Sequence, residues 1–287
     1  MCAIDMGSNT FRRIVGSFEN GRYEQIAIEK RTLGVGDDVV KHGMISDPKL
    51  AEIEQVLSLY KAACQKEGVA DVVAIGTAAF REAPNGRRVV DLAGRLGIAM
   101  EIASEARESE LAYLVGSLGQ EGYAIIDNGS RSIELVSKEA RASRYSVFNL
   151  GYRVAYEKFF AAARDANGAF TAFRDELRQQ AAKASFMKGK KTLVGLEFGD
   201  MVEILFKPVG AEVRALTLQE LKRKVNEIAA LPPIEFQALK KTKDIDRALP
   251  RLVVAAFLTE EFGYTELELT ERELGTGLII EAGANRR

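Results

Sequence analysis

Histidine and cysteine are almost missing from this chain, and their scarcity removes whole classes of chemistry. The single histidine, His42, cannot build a His-rich metal site, nor complete a Ser-His-Asp triad by itself. It reads as a plain surface residue. Cys2 and Cys64 are the only cysteines, too few for a disulfide framework, so reduced thiols in a cytoplasmic setting are expected. No apolar run approaches the ~18 to 20 residues that span a bilayer. The first residues, Cys2-Ala3-Ile4-Asp5, already read as strand, so no leader segment is expected. Charge of one sign is lacking too. A formal net charge of -1 gives no bulk pull toward nucleic acid or membrane, and neither is expected as a partner. A polyanion site would have to come from local placement of Lys and Arg.

What is present is an ordinary globular mix, 47% apolar and 28% charged over 287 residues, long enough for two domains. Apolar alternation in Phe11–Phe18 and Tyr23–Lys30 around Asn20-Gly21 predicts a hairpin, since both turn residues tolerate positive φ. A Gly-rich loop over 33–38 leads to Ser46-Asp47-Pro48, a helix start followed by Leu50, Ile53, Val56, Leu57 and Tyr60 at helical spacing. Strands are expected at 72–75 and 99–103, with a helix over 88–96 between them. Ser104 caps a helix with Leu111, Leu114, Val115 and Leu118 on its apolar side. Later helices are expected over 154–163, 169–184, 218–229 and 248–262, and strands at 192–194, 202–206 and 267–269. Alternating strands and helices indicate α/β sheets with helices outside. The best division falls at Gly119–Gly122, giving domains of roughly 1–118 and 119–287, with the last helix able to pack back on the first domain.

One unit occurs twice. Ala3-Ile4-Asp5-Met6-Gly7-Ser8 and Ile125-Ile126-Asp127-Asn128-Gly129-Ser130 each close an apolar strand and open a β-ribbon. This argues for a duplicated domain, with the two copies facing a shared cleft, the alternative being two unrelated turns. Glycine lets a backbone approach a phosphate closely, and neighbouring amides and hydroxyls can donate to its oxygens. Asp5 and Asp127 can hold a divalent cation or merely cap a turn. Arg12 and Arg81 are candidate phosphate clamps, or else solvated surface arginines. Glu108 lies three residues before Leu111 and seven before Val115, hence on the buried side of its helix. Desolvation there would raise its pKa and suit it to general-base work, the alternative being a helix-start carboxylate.

These motifs resemble the exopolyphosphatase and guanosine-pentaphosphatase family. The resemblance is strongest in Ile4-Asp5-Met6-Gly7-Ser8-Asn9-Thr10-Phe11-Arg12 and in Gly76–Gly86, and continues in order through Ser104–Val115, Asp127–Leu135, Asn149–Arg153 and Glu273–Ile279. It implies two actin-like (ribonuclease H-like) α/β domains facing a central cleft that binds inorganic polyphosphate or guanosine pentaphosphate with Mg²⁺. It further implies exopolytic hydrolysis, with Glu108 as general base and Asp5, Asp127 and Glu134 toward the metal. The phosphate-binding set is then Gly7, Ser8, Asn9, Arg12, Arg81, Gly129, Ser130, Arg131, Ser132 and Gly195. A homodimer is left open.

The chain departs from the pattern where substrate would be gripped. The family's second loop, Asp-Ile-Gly-Gly-Gly-Ser-Thr-Glu, reads here Asp127-Asn128-Gly129-Ser130-Arg131-Ser132-Ile133-Glu134. Arg107 replaces an acid before Glu108. The third loop, normally Gly-Gly-Thr, reads Gly195-Leu196-Glu197, and Glu197 would repel a phosphate it faced. If Ser130 or Arg131 needs positive φ, strain on the order of 1 kcal/mol per residue follows. An active enzyme in which Arg131 supplies a side-chain phosphate contact competes with a family member that binds a polyphosphate, nucleotide or protein without turnover. A sugar or acyl kinase on the same fold is disfavoured, because 195–199 makes a poor adenosine loop.

Overall fold

The structure is a computed structural model that describes residues 1–139, 142–206 and 215–285. The chain forms two compact units, Met1–Gly119 with the segment from Arg272 onward, and Gln120–Glu271.

In the first unit, β1 (Cys2–Met6) runs into the ribbon β2 (Thr10–Glu19) and β3 (Arg22–Thr32). Asn20 and Gly21 turn that ribbon with φ of 52° and 77°, as the Asn-Gly pair predicts. Two helices follow, α1 (Val35–His42) and α2 (Asp47–Lys66). Ser46 caps α2 through the Lys49 amide, with Pro48 in its first turn. Then come β4 (Val72–Gly76), α3 (Ala78–Glu82), α4 (Arg87–Arg95), β5 (Ala99–Ile102) and α5 (Glu105–Ser117). The sheet order is β3-β2-β1-β4-β5, antiparallel in the ribbon and parallel from β1 to β5.

The second unit repeats this plan. Its strand β6 (Tyr123–Asn128) feeds the ribbon β7 (Ile133–Glu139) and β8 (Ala142–Phe148), then α6 (Tyr152–Ala155), a π-helical turn (Tyr156–Phe160) and α7 (Ala166–Ala181). After β9 (Thr192–Leu196) come α8 (Gly199–Met201), a second π-helical turn (Val202–Phe206), β10 (Ala215–Thr217), α9 (Leu218–Ala229), α10 (Pro233–Leu239), α11 (Ile245–Glu261) and β11 (Glu266–Thr270). Its sheet runs β10-β11-β9-β6-β7-β8. Reading outward from β6, ribbon on one side and parallel strands on the other, the order matches that around β1.

Strand alternation decides which residues face which layer. Cys2, Ile4 and Met6 join the core under α2, whereas Ala3 shares the opposite face with Ile14, Ile75 and Leu111. Asp5 has the parity of Ala3 and therefore lies on the α5 side. Likewise Ala124 and Ile126 enter the large core of the second unit, and Asn128 follows their parity while Asp127 takes the other face.

Several expectations change. Residues 33–38 are not only loop, because Val35 and Val39 bury one side of α1 between Gly34 and Gly43, both with positive φ. The strand expected at 202–206 is a π-helical turn. Its apolar run Ile204, Leu205 and Phe206 packs on the core throughout, and periodicity alone does not separate short buried strands from helices. Reduced thiols are not what the structure shows. Cys2 at the start of β1 and Cys64 near the end of α2 are bonded, with Cα atoms 6.2 Å apart. The fold brings them together across the sheet–helix layer. Among the described residues no helix is long and apolar enough to cross a membrane.

The last helix, α12 (Leu274–Ala284), crosses the division drawn at residue 119 and returns to the first unit. Leu278 and Ile279 pack with Ile14 and Leu111. Arg107, where the family carries an acid, grips Glu281 of α12 with both terminal nitrogens at 2.6 Å and Glu101 with Nε at 3.1 Å. Gly283 is needed for this docking, since a Cβ there would lie 2.2 Å from the Phe18 carbonyl oxygen. Gly283→Ala is expected to destabilise the protein by about 1–3 kcal/mol through overpacking, read as a lower urea midpoint. An unchanged midpoint would contradict the close approach of α12 to β2.

Candidate functional site

In the first unit, the turn after β1 is tight. Gly7 N–H donates to the Thr10 carbonyl at 3.1 Å, and a Cβ on Gly7 would come as close to that oxygen, at 3.1 Å. The carbonyls of Ser8 and Asn9 accept from Gly36, and from Leu33 and Gly34. Because C=O and the following N–H point oppositely in a trans peptide, the Asn9 amide turns away from that brace.

Arg12 is held between carboxylates. Its Nε lies 3.0 Å from Glu273, and one terminal nitrogen lies 3.9 Å from Asp5. Glu273 also pairs with Lys30 at 2.5 Å. Arg81, on α3, donates to the Ala103 carbonyl at 2.8 Å and to Glu108 Oε2 at 3.1 Å. Glu108 is 8% exposed, on the buried side of α5 as its spacing predicts. Burial pushes its carboxyl above the usual carboxylate range; Arg81 pulls it down, and the charges of Asp5 and Glu105 push it up again. Thus Asp5, Arg12, Arg81 and Glu108 form one charged cluster, joined by Glu273 and Lys30, which the sequence did not assign to it.

In the second unit, the loop after β6 lies on the start of α6. Gly151 N–H donates to the Arg131 carbonyl at 2.9 Å, Tyr152 to that of Gly129 at 3.0 Å, and Arg153 to that of Ser130 at 3.1 Å. With three successive carbonyls pointing at α6, the amides of Ser130, Arg131 and Ser132 point the other way. Three such N–H groups are donors that an anion could meet. No residue of 129–132 has positive φ, so the two lost glycines bring no left-handed strain. Gly129 is open enough that a Cβ would meet only the Ser132 carbonyl, at 3.5 Å.

Asp127 and Glu134 stand opposite each other in the β6–β7 register, both buried. Ser132 Oγ donates to Glu134 at 2.5 Å. Two hard oxygen donors suit Mg²⁺, which commonly takes one or two carboxylates and completes its shell with water and phosphate. No larger group of three metal-ligating side chains occurs among the described residues. Gly195 lies inside β9, where a Cβ would come within 2.7 Å of the Phe198 ring; packing alone accounts for that glycine. Glu197 follows with φ of 68°, and its carboxylate lies 3.4 Å from Arg251.

With this geometry in place, comparison with known proteins is decisive at one level. The Ppx/GppA phosphatase family model matches residues 14–281. The chain belongs to the Ppx/GppA phosphatase family. It superimposes on the Aquifex aeolicus family member with a TM-score of 0.83 at 22% identity, covering 100% of this chain and 98% of that one. An exopolyphosphatase from Cytophaga hutchinsonii gives a TM-score of 0.75 at 18% identity, covering 99% and 97%. The fold is therefore the two-domain actin-like α/β fold of this family. A guanosine-5'-triphosphate,3'-diphosphate pyrophosphatase of Vibrio cholerae is 27% identical over 143 residues, 48% of this chain and 28% of that protein. Its Vibrio parahaemolyticus counterpart is 27% identical over 163 residues, 55% and 33%. The aligned stretch thus spans about a third or less of these curated relatives.

Sequence reasoning missed Gly151. A Cβ there would lie 2.4 Å from Ser132 N and 2.5 Å from the Arg131 main chain, so the loop seats on α6 only because this residue is glycine. Gly151→Ala is expected to destabilise by about 2 kcal/mol or more, while Gly129→Ala stays within about 0.5 kcal/mol of wild type. Urea unfolding of the two variants checks this. Equal losses would mean the loop is not packed on α6 as described.

Proposed function

We propose that the protein is a phosphohydrolase that releases the terminal phosphate of inorganic polyphosphate or guanosine pentaphosphate by Mg²⁺-assisted attack of water. The observation that carries this reading is Glu108, a buried carboxylate with a raised pKa, hydrogen-bonded to Arg81 in a family of phosphatases. A general base must be ionised yet avid for a proton, and burial opposed by one arginine gives that balance. Glu108 would take the proton from the attacking water. Arg81, beside it, would meet charge on the phosphoryl oxygens. Phosphoryl transfer depends chiefly on such positioning and electrostatics.

Asp127 and Glu134 would hold the metal. When bound, Mg²⁺ supplies neutralisation of the developing phosphate charge. Arg131, at the partly exposed rim of its loop, would add a side-chain contact to phosphate.

A second reading, binding without turnover, is favoured by the Arg81–Glu108 pair. A base held by an arginine at 3.1 Å is less free to accept a proton.

The test is phosphate release from each substrate with Mg²⁺, comparing wild type with Glu108→Gln. The hydrolase reading expects turnover in wild type and a loss of at least about 100-fold in the variant, the scale of general-base catalysis. Wild type that binds either polyphosphate or guanosine pentaphosphate but releases no phosphate would establish the second reading. The pH profile adds a signed expectation. Protonation of Glu108 removes the base, and its folded pKa is raised above 4.5, so activity falls as pH drops through a midpoint above 4.5. An acidic limb at or below 4.5 would assign the base elsewhere.

A further inference from the structure

Arg251, on α11, is 2% exposed, an unusual place for a guanidinium unless it is paired. Its plane lies over the Tyr152 ring, 4.2 Å from the centroid. One terminal nitrogen reaches Asp200 at 3.2 Å; the other lies 3.4 Å from both the Asn128 carbonyl and Glu197. Arg247 also reaches Asp200, at 3.5 Å. Arg247 lies 3.8 Å from Asp244 as well, so the two arginines and three carboxylates form one ion-pair cluster near the C-terminal ends of β6 and β9. Asn128 belongs to it by position: its side chain is fully buried on the core face, without a hydrogen-bond partner.

We propose that Arg251 is a positioning residue for the phosphate loop of the second unit, offsetting the charge of Glu197 and pinning the Asn128 carbonyl. This rests on the reading of residues 129–132 as that loop. Glu197 sits beside Asn128, because Leu196 pairs with Asp127 in the β6–β9 register. Without the Arg251 contact, more of its negative charge would bear on amides proposed to meet a polyanion. Arg251 offsets that charge. It also fixes both ends of the loop: the residue before it through the Asn128 carbonyl, and the α6 seat after it through the Tyr152 ring.

The experiment uses the full chain and inorganic tripolyphosphate with Mg²⁺, binding being read by calorimetry and loop order by hydrogen exchange at residues 129–132. Arg251→Met is expected to weaken binding at least tenfold, and Glu197→Gln to leave it within threefold of wild type. The double variant Arg251→Met, Glu197→Gln is expected to recover binding to within threefold, which a merely structural arginine would not allow. Arg251→Lys keeps the charge but not the fork; it is expected to bind within threefold while residues 129–132 exchange faster. It also serves if Arg251→Met does not fold. A double variant as weak as Arg251→Met, or unchanged exchange in Arg251→Lys, overturns the proposal. Wild type that fails to bind tripolyphosphate sinks the phosphate reading instead. The exchange comparison then still decides whether Arg251 orders the loop.

Discussion

Seating the loop 129–132 on the first turn of α6 is the constraint on which the second unit depends. Three main-chain hydrogen bonds orient every carbonyl of residues 129–131 toward α6, and peptide planarity then orients the next three amides outward. Side-chain identity hardly enters. This is why a loop with serine and arginine at 130 and 131 is still seated on α6, with no residue of 129–132 at positive φ. The glycine that matters most structurally stands twenty residues further on, at Gly151, where any Cβ would strike the Arg131 main chain.

The first unit meets a different requirement, the control of a buried acid. Burial pushes the Glu108 carboxyl up, and the charges of Asp5 and Glu105 add to that tendency. Arg81 opposes both while also bonding the Ala103 carbonyl, so its position is fixed independently of the carboxylate. Arg12 faces the reverse problem. Bracketed by Asp5 and Glu273, with Lys30 on the far side of Glu273, it is part of an ion-pair network.

Much of this was legible in the sequence because it is local. The Asn20-Gly21 hairpin, the Ser46 and Ser104 caps and the buried side of Glu108 follow from turn chemistry and period alone. The duplicated strand-Asp-x-Gly-Ser unit also read correctly as a repeated sheet plan. What was not legible depends on distant partners. Nothing near Arg251 in the chain foretells Asn128, which lies 123 positions away, and nothing near Arg107 foretells Glu281, 174 positions away. The π-helical turn at Val202–Phe206 failed for another reason. Five mostly apolar residues fit a buried strand or a buried helical turn equally well until their neighbours are known.

The departures from the family pattern become fewer when viewed through these contacts. Arg107 replaces an acid, but its charge is consumed by Glu101 and Glu281 to hold the last helix. Asn128 and Glu197 look like two independent losses, one in each glycine loop. In the fold they flank one buried arginine, which bonds the main-chain carbonyl of Asn128 and lies 3.4 Å from the Glu197 carboxylate. A guanidinium there would be costly without such partners, because an unpaired buried charge destabilises strongly. Arg251 and the carboxylates around it are therefore coupled, whereas Asn128 meets that arginine only through its main-chain carbonyl.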